Sequence, residues 1–411
     1  AASTAAFRIA NASVNVLGLD IVMTQLVPYG VWASSAYVQL SGVTVSTSGG
    51  LGIYTAGVRL SSRSAISNST VTTWGSHALW LDASTMTTVS YSSFSANSSS
   101  FRAIYLQRGS SNTLTGLYAG NSLGYALYFD NTSDNSLTAS TVVIVNSGYG
   151  AYLSNASSNT LESNYFRANS SPLMNILSGS NYNRVRLSTF SRTGSDAMYV
   201  SGAYNLVEGV NAPDFTSCGA LSVGGNFNEV RVSTFGACCG GGGGLSLTGS
   251  SNTLTGNYFS NCSYPGAYIG GGYNRVLGST VVASGYSGGA ALQVAGVYNR
   301  FEAGMVLDLS GGPGVGFLSG AVGNSVARST VTSTTYRGIV FDQASSNTVV
   351  NSYVQGTTAV WVSRSTGTHI GGSALVATLA SGSALWMDNL GSLNLTLTSS
   401  TLLGGASGWG V

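Results

Sequence analysis

Apolar residues along this chain fall in short alternating bursts, never in helical stripes. Ala78-Leu79-Trp80-Leu81, Ala126-Leu127-Tyr128-Phe129 and Gly338-Ile339-Val340-Phe341 share the order small, apolar, variable, apolar. A second burst runs Asn-x-apolar-x-x-Ser/Asn-x-apolar, as from Asn183 to Phe190. Alternation at period two predicts short strands with one buried face. The Gly, Ser and Asn clusters between them predict turns. No stretch combines helical periodicity with caps, so essentially no α-helix is expected.

The bursts repeat. SSNTLTGLYAGN (110–121), SSNTLESNYF (157–166), NYNRVRLSTF (181–190), NFNEVRVSTF (226–235), SSNTLTGNYF (250–259) and SSNTVVNSYV (345–354) are versions of one unit. Its anchor is an Asn at 112, 135, 159, 183, 205, 228, 252, 274, 299, 324 and 347, at spacings of 22 to 25 residues. Degenerate copies on both sides bring the total to about 17 coils of ~24 residues. One such coil cannot bury its apolar face alone, so the coils must stack. Asn112, Asn135, Asn159, Asn183, Asn205, Asn228, Asn252, Asn274, Asn299, Asn324 and Asn347 read as a turn column. An Asn there tolerates left-handed geometry and hydrogen-bonds its neighbours above and below. Ser188, Ser233, Asn257 and Ser329, five residues after their anchors, read as a second polar column.

The repeat resembles the right-handed parallel β-helix of the pectin-lyase-like superfamily. The expected fold is therefore all-β: a single right-handed parallel β-helix over residues 1–411, without terminal caps. That scaffold serves lyases, hydrolases, epimerases, tailspikes, adhesins and structural proteins, so the resemblance alone implies no single activity.

Composition narrows the field. Charged residues are 7% of the 411 positions, against an ordinary ~25%, and the net charge is +2. All 15 basic residues are Arg. No basic surface for nucleic acid is implied, and no apolar run approaches the ~20 residues of a membrane span. With 43% hydrophobic and 10% aromatic residues the chain is not disordered. It opens on Ala1, as a processed export substrate would, and an extracellular or cell-surface location is expected. Asn-x-Ser/Thr sequons at Asn11, Asn68, Asn97, Asn131, Asn155, Asn169, Asn261 and Asn394 are candidate glycosylation sites in that setting.

The catalytic patterns of the resembled enzymes are missing. Polygalacturonase-like hydrolases carry an adjacent Asp pair, Gly-His-Gly and Arg-Ile-Lys. This chain has no Lys and no Asp-Asp, and its two histidines, His77 and His369, sit in other contexts. Two lone histidines build no metal site, and no cofactor is expected. Asp130 and Asp134 share a coil, but in NTSDNS they read as turn residues. Asp82 and Asp130 lie two coils apart with Gln107 between them, about 10 Å, a separation that suits an inverting carboxylate pair. Nothing else in the sequence supports that chemistry. Arg184, Arg275 and Arg300 follow their anchor Asn and read as a solvated face, with a strip for an acidic glycan as the alternative.

Cys218, Cys238 and Cys262 follow a Phe-x-x pattern in three consecutive coils, with Cys239 beside Cys238. Stacking would bring their Cα atoms within disulfide range. Two bridges are expected, Cys218 to one of the vicinal pair and Cys262 to the other.

The variable position of the first burst holds Trp32, Trp80, Tyr105, Tyr128, Tyr152, Tyr199, Tyr268, Trp361 and Trp386, with Arg59 among them. Alternation points these side chains outward. So long an aromatic stripe predicts a partner, either a polysaccharide or a second copy packed laterally. The two ends carry the same motif, Ala6-Phe7-Arg8-Ile9 and Gly408-Trp409-Gly410-Val411. Head-to-tail stacking through them would propagate a filament, unless the chain is part of a longer one. The sequence reading is therefore a non-enzymatic building block of a surface fibre, sheath or filament. Its rival is a carbohydrate-binding or carbohydrate-active β-helix.

Overall fold

The computed structural model describes residues 5–407, apart from 11–12, 24–26, 28, 35–36, 48–55, 62, 75, 170–171, 193–195, 216–218, 239–242, 264, 286–287 and 389–393. Its described elements are strands, dealt in rotation to three parallel sheets. One coil shows the scheme. Leu79–Asp82 lies in the first sheet, Thr88–Ser90 in the second and Ser93–Asn97 in the third. Each pairs in parallel with the matching strand of the next coil, Leu79↔Ile104, Thr88↔Thr113 and Ser93↔Tyr118. The chain divides into two compact units, Ala1–Asn211 and Ala212–Val411, both built this way.

Period-two alternation determines what goes inside. Leu81, Leu106, Phe129 and Leu153 are buried on the first sheet, Val89, Leu114, Leu137 and Leu161 on the second. On the third sheet Phe166 and Phe190 stack with ring centroids 4.8 Å apart, and in the second unit Phe317 stacks on Phe341 at 4.7 Å. Register places like on like, so every coil presents the next with an apolar surface of its own shape.

The corners solve a different problem. Backbone N–H groups that turn inward there need acceptors. The anchor Asn supplies them. In the first unit Asn135 donates its backbone N–H and its Nδ2 to Asn159 Oδ1 at 3.0 and 2.9 Å. Asn159 does the same to Asn183 at 2.9 and 3.1 Å. The second unit repeats the pattern from Asn274 to Asn299 and from Asn299 to Asn324. A second series runs through Ser140, Asn164 and Ser188, where Ser140 N–H donates to Asn164 Oδ1 at 3.0 Å and Asn164 N–H to Ser188 Oγ at 3.2 Å. Corner residues repeatedly take positive φ, among them Arg108, Asn131 and Asn155 at 55°, 52° and 48°.

Cys238 and Cys262 are disulfide-bonded with Cα atoms 4.7 Å apart, one coil above the other. Cys218 and Cys239 lie outside the described residues. Of the sequons, Asn68, Asn131, Asn155, Asn169 and Asn394 are exposed, Asn97 is half-buried and Asn11 is not described. Asn261 corrects the expectation. It is buried, and its Oδ1 accepts the Ser263 N–H at 2.7 Å, so the folded protein hides it from a glycosylating enzyme.

Two stability outcomes follow. Asn159→Ala strands the Asn135 N–H and Nδ2 without an acceptor in a buried corner, at a cost of about 3 kcal/mol. Thermal melts should show a clear fall in Tm, whereas Thr160→Ala on the outer face should stay within about 0.5 kcal/mol of the parent. Cys238→Ser opens a 24-residue crosslink, worth about 3 kcal/mol by loop entropy. Denaturant titration under non-reducing conditions should show that loss, and added reductant should produce it in the parent but not in the variant.

Candidate functional site

The outer face of the first sheet in the first unit gathers most of the chain's unusual chemistry. Register makes one continuous column: Arg8, Trp32, Arg59, Trp80, Tyr105, Tyr128, Tyr152, Asn175 and Tyr199. Two further columns flank it. On one side Arg102, Tyr125 and Tyr149 lie over one another. On the other come Asp82, Gln107 and Asp130.

The rings meet both along and across the columns. Trp80 stacks on Tyr105 at 6.0 Å, Tyr105 on Tyr128 at 5.4 Å, and Tyr125 on both Tyr128 and Tyr149 at 5.2 and 5.3 Å. Tyr152 meets Tyr128 edge-on at 5.2 Å. Arginines cap this lattice. Arg59 lies 4.4 Å over Trp80, and Arg102 lies 4.7 Å over Tyr128 while also covering Tyr105 and Tyr125. Each such contact is worth about 0.5–2 kcal/mol. Together they leave Tyr105 only 8% exposed.

A polar network borders the rings. Asp82 takes Arg59 Nη2 on Oδ2 at 2.5 Å and Arg108 Nη2 on Oδ1 at 2.6 Å. Arg59 also donates to the Tyr29 hydroxyl at 2.8 Å. Asp130 accepts the Tyr105 hydroxyl at 2.9 Å and Gln107 Nε2 at 3.4 Å on Oδ2, and Asn131 Nδ2 at 2.7 Å on Oδ1. Burial, helped by the bond to Asp130, pushes the Tyr105 phenol well above its ordinary range. Burial likewise raises Tyr125 and Tyr152. Beyond the network Arg108, Asn131 and Asn155 line a shallow polar groove of about 460 Å³ at the corner, with Ser110, Ser133 and Ser157 along its floor.

His77 sits under this surface. Its ring lies 4.9 Å from Tyr105, 5.6 Å from Trp80 and edge-on to Phe101 at 5.1 Å. Its Nδ1 accepts the Arg102 backbone N–H at 3.2 Å, which requires that nitrogen to be unprotonated. Burial, and secondarily the Arg102 charge, lower its pKa to about 3.

The stripe expected from sequence is thus regrouped. Trp32, Trp80, Tyr105, Tyr128 and Tyr152 belong to one site. Tyr199 ends the column 38% exposed. Tyr268, Trp361 and Trp386 belong to the second unit, where Gln293, Gly316 and Val340 interrupt the rings. Tyr29, Arg102, Tyr125 and Tyr149 were not singled out from sequence, and His77 was weighed there only as a catalytic or metal-binding histidine. The signal was available, since Arg102-Ala-Ile-Tyr, Tyr125-Ala-Leu-Tyr and Tyr149-Gly-Ala-Tyr all place a ring or an arginine three residues before the column. Asp82 and Asp130 do stand two strands apart with Gln107 between them. Each of their carboxylate oxygens accepts at least one hydrogen bond from a neighbouring side chain. Among the described residues no three His, Cys, Asp or Glu side chains could hold a metal ion. Arg184, Arg275 and Arg300 are exposed on the second sheet, and Arg300 pairs with Glu302 at 2.6 Å.

The comparisons with known proteins agree on the architecture. Residues 29–190, which span this site, match the family model described as a right handed beta helix region, and the chain is a right-handed parallel β-helix repeat protein. No curated protein matches it. Similar solved structures include a tailspike protein variant of E. coli bacteriophage HK620 in complex with a hexasaccharide, at 11% identity and TM-score 0.38, covering 95% of this chain and 71% of that one. DFA-IIIase from Arthrobacter chlorophenolicus A6 in complex with DFA-III shows 12% identity and TM-score 0.37 over 61% of this chain and 68% of that one. The mannuronan C-5 epimerase AlgE4 A-module of Azotobacter vinelandii shows 11% and 0.35 over 92% and 90%. Likeness at this level concerns the fold alone.

The expectation of a passive building block for a fibre, sheath or filament is corrected. Within the molecule, the rings offered for lateral packing are buried or half-buried, stacked on one another and interleaved with Arg59, Arg102 and a polar border, so the face they leave exposed is mixed rather than the continuous apolar face that packing two copies needs. The C-terminal half of the supposed end-to-end contact, Gly408–Val411, lies outside the described residues. Its N-terminal half, Ala6–Ile9, belongs to the strand Ala5–Ile9, one edge of which pairs in parallel with Tyr29–Ala33. Among the described residues no helix is long and apolar enough to cross a membrane.

The buried imidazole makes a pH test. The unfolded chain protonates His77 near its ordinary 6.5 and the folded chain only near 3. The unfolded state therefore binds the extra proton in that window, and stability falls as pH drops from about 6.5 towards 3, by at most on the order of 5 kcal/mol. Denaturation midpoints of His77→Gln, which keeps an acceptor but does not titrate, should vary less across that window than those of the parent.

Proposed function

We propose that this protein is an extracellular carbohydrate-binding β-helix whose first-unit face, from Trp32 to Tyr152, holds a polysaccharide without cleaving it. The observation that carries this reading is the joining of an aromatic lattice to a border of polar side chains held in fixed positions. Rings supply broad contact at low entropic cost. Tyr, Arg, Asn and Gln groups along one edge supply directional hydrogen bonds to hydroxyls, and the polar groove at Arg108, Asn131 and Asn155 extends them around the corner. Binding sites of this kind combine an apolar surface with a few convergent polar groups.

The occupied carboxylates favour binding over hydrolysis. A glycosidase acid must present a proton to the leaving oxygen and its partner must reach water or the sugar. Asp82 is clamped between Arg59 and Arg108, and Asp130 between Tyr105 and Asn131, so both serve to position their neighbours. The Cys238–Cys262 bridge supports an oxidising, extracellular setting.

Retention on a panel of immobilised neutral and acidic polysaccharides tests the reading. Trp80→Ala combined with Tyr105→Ala should weaken retention at least tenfold, while Tyr258→Ala on the third sheet leaves it unchanged. Reducing ends should not accumulate during the incubation. A release of reducing ends that Asp130→Asn abolishes would show that the face is catalytic instead.

A further inference from the structure

The second unit has a groove of its own. Its first-sheet column reads Ser222, Ser246, Tyr268, Gln293, Gly316, Val340, Trp361 and Trp386. Gly316 contributes no side chain to the outer face, and a groove of about 300 Å³ opens there. Gln293, Val340, Tyr336, Arg337 and Trp361 line it, together with Asp342, whose carboxylate is held by Arg364.

Arg337 is the unusual member. Its guanidinium lies 4.2 Å over Trp361 and 4.8 Å over Tyr336. Among the described residues no carboxylate comes within ion-pair distance of it. The arginines of the adjoining coils are otherwise placed. Arg364 holds Asp342 at 2.7 Å, and Arg328 is paired with Glu302. A guanidinium stacked on rings keeps its N–H edge available for a bidentate oxyanion.

The same arrangement occurs in the first unit, which argues against accident. Arg102-Ala-Ile-Tyr-Leu-Gln and Arg337-Gly-Ile-Val-Phe-Asp place Arg at one position of the repeat, and each Arg stacks on the ring of the following coil, Tyr128 or Trp361. Arg102 also has no carboxylate within ion-pair distance among the described residues. Both arginines are half-buried; Arg102 lies over Tyr105, Tyr125 and Tyr128, whereas Arg337 borders the groove.

We infer that this groove is a second saccharide site, separate from the first-unit face, and that it takes a sugar carrying an oxyanion, carboxylate or sulfate, on Arg337. The saccharide class rests on the reading of the first unit; the anion rests on Arg337 alone. Gln293 offers an amide to ring hydroxyls, and Trp361 and Tyr336 offer apolar edges.

Calorimetry with the full chain decides it, using a galacturonic acid trisaccharide, a sulfated galactose trisaccharide and the neutral galactose trisaccharide. The parent should bind at least one charged probe tenfold or more tightly than the neutral one, with affinity falling as salt rises. Preference for the galacturonate identifies a carboxylate ligand, and preference for the sulfated probe a sulfate. Arg337→Gln should erase the preference while leaving neutral binding within twofold, and Trp361→Ala should weaken all probes. Trp361→Leu replaces it if the alanine variant melts early. The Trp80→Ala, Tyr105→Ala double variant should bind the charged probe as the parent does, even if the first-unit reading fails. No binding of either charged probe, or Arg337→Gln binding them like the parent, overturns the inference. So does loss of charged-probe binding in the double variant alone.

Discussion

Parallel pairing in register between successive coils is the constraint on which everything else in this protein depends. Each residue lies over its counterpart one repeat away, about 4.8 Å distant. A side chain that suits one coil must therefore tolerate a near-copy of itself directly above and below. Apolar residues meet this by stacking, as Phe166 does on Phe190. Amides meet it by using both ends of one side chain. Asn159 Oδ1 accepts from the coil before, and Asn159 Nδ2 donates to the coil after. Charges meet it least well, because a column of like charges repels. That is a physical reason for a chain with only 7% charged residues. Some of the charges that occur alternate in sign, as in Glu162, Arg186 and Glu208 on the second sheet. Where like charges do stack, as Arg275 and Arg300, both side chains are exposed to water.

The first-unit face follows from the same rule. A column of rings repeated coil by coil becomes a stack, and a stack needs a cap where it meets water. Arginines provide it, covering ring faces while their edges reach carboxylates or remain free. Arg59 reaches Asp82, and Asp82 in turn holds Arg108 at the corner. Arg102 covers three tyrosines and sits beside an unprotonated His77 whose Nδ1 fastens the Arg102 backbone. The polar border is thereby rigid. Rigidity of the contact groups suits recognition of a flexible glycan, since the protein loses little further entropy on binding.

Much of this was legible in the residues, and the boundary of legibility has a physical location. The spacing of Asn112 to Asn347 and the alternation in Ala78–Leu81 or Ala126–Phe129 lead to a parallel β-helix without any coordinates. They also place Trp80, Tyr105, Tyr128 and Tyr152 in one column. The same logic failed at Asn261, a good sequon whose position faces inward. It also overstated the stripe, because counting aromatic residues at one position does not weigh Gln293, Gly316 and Val340 between them. The filament reading came from the likeness of two end motifs, and likeness of motif says nothing about which surfaces remain uncovered.

Sequence by itself determined the fold class, the period and the vertical neighbours of the motif positions, because a repeat of nearly constant length leaves strand pairing few alternatives. Only the tertiary structure decided what happens across columns and around corners. It brought His77 beneath Tyr105, folded Arg102 over three rings, gave Asp82 to Arg59 and Arg108, and left Arg337 beside a groove, with no carboxylate within ion-pair distance of it among the described residues. Those contacts join residues on different columns or in adjoining turns. Their formation depends on side-chain length, rotamer and local twist, none of which the period of the repeat specifies.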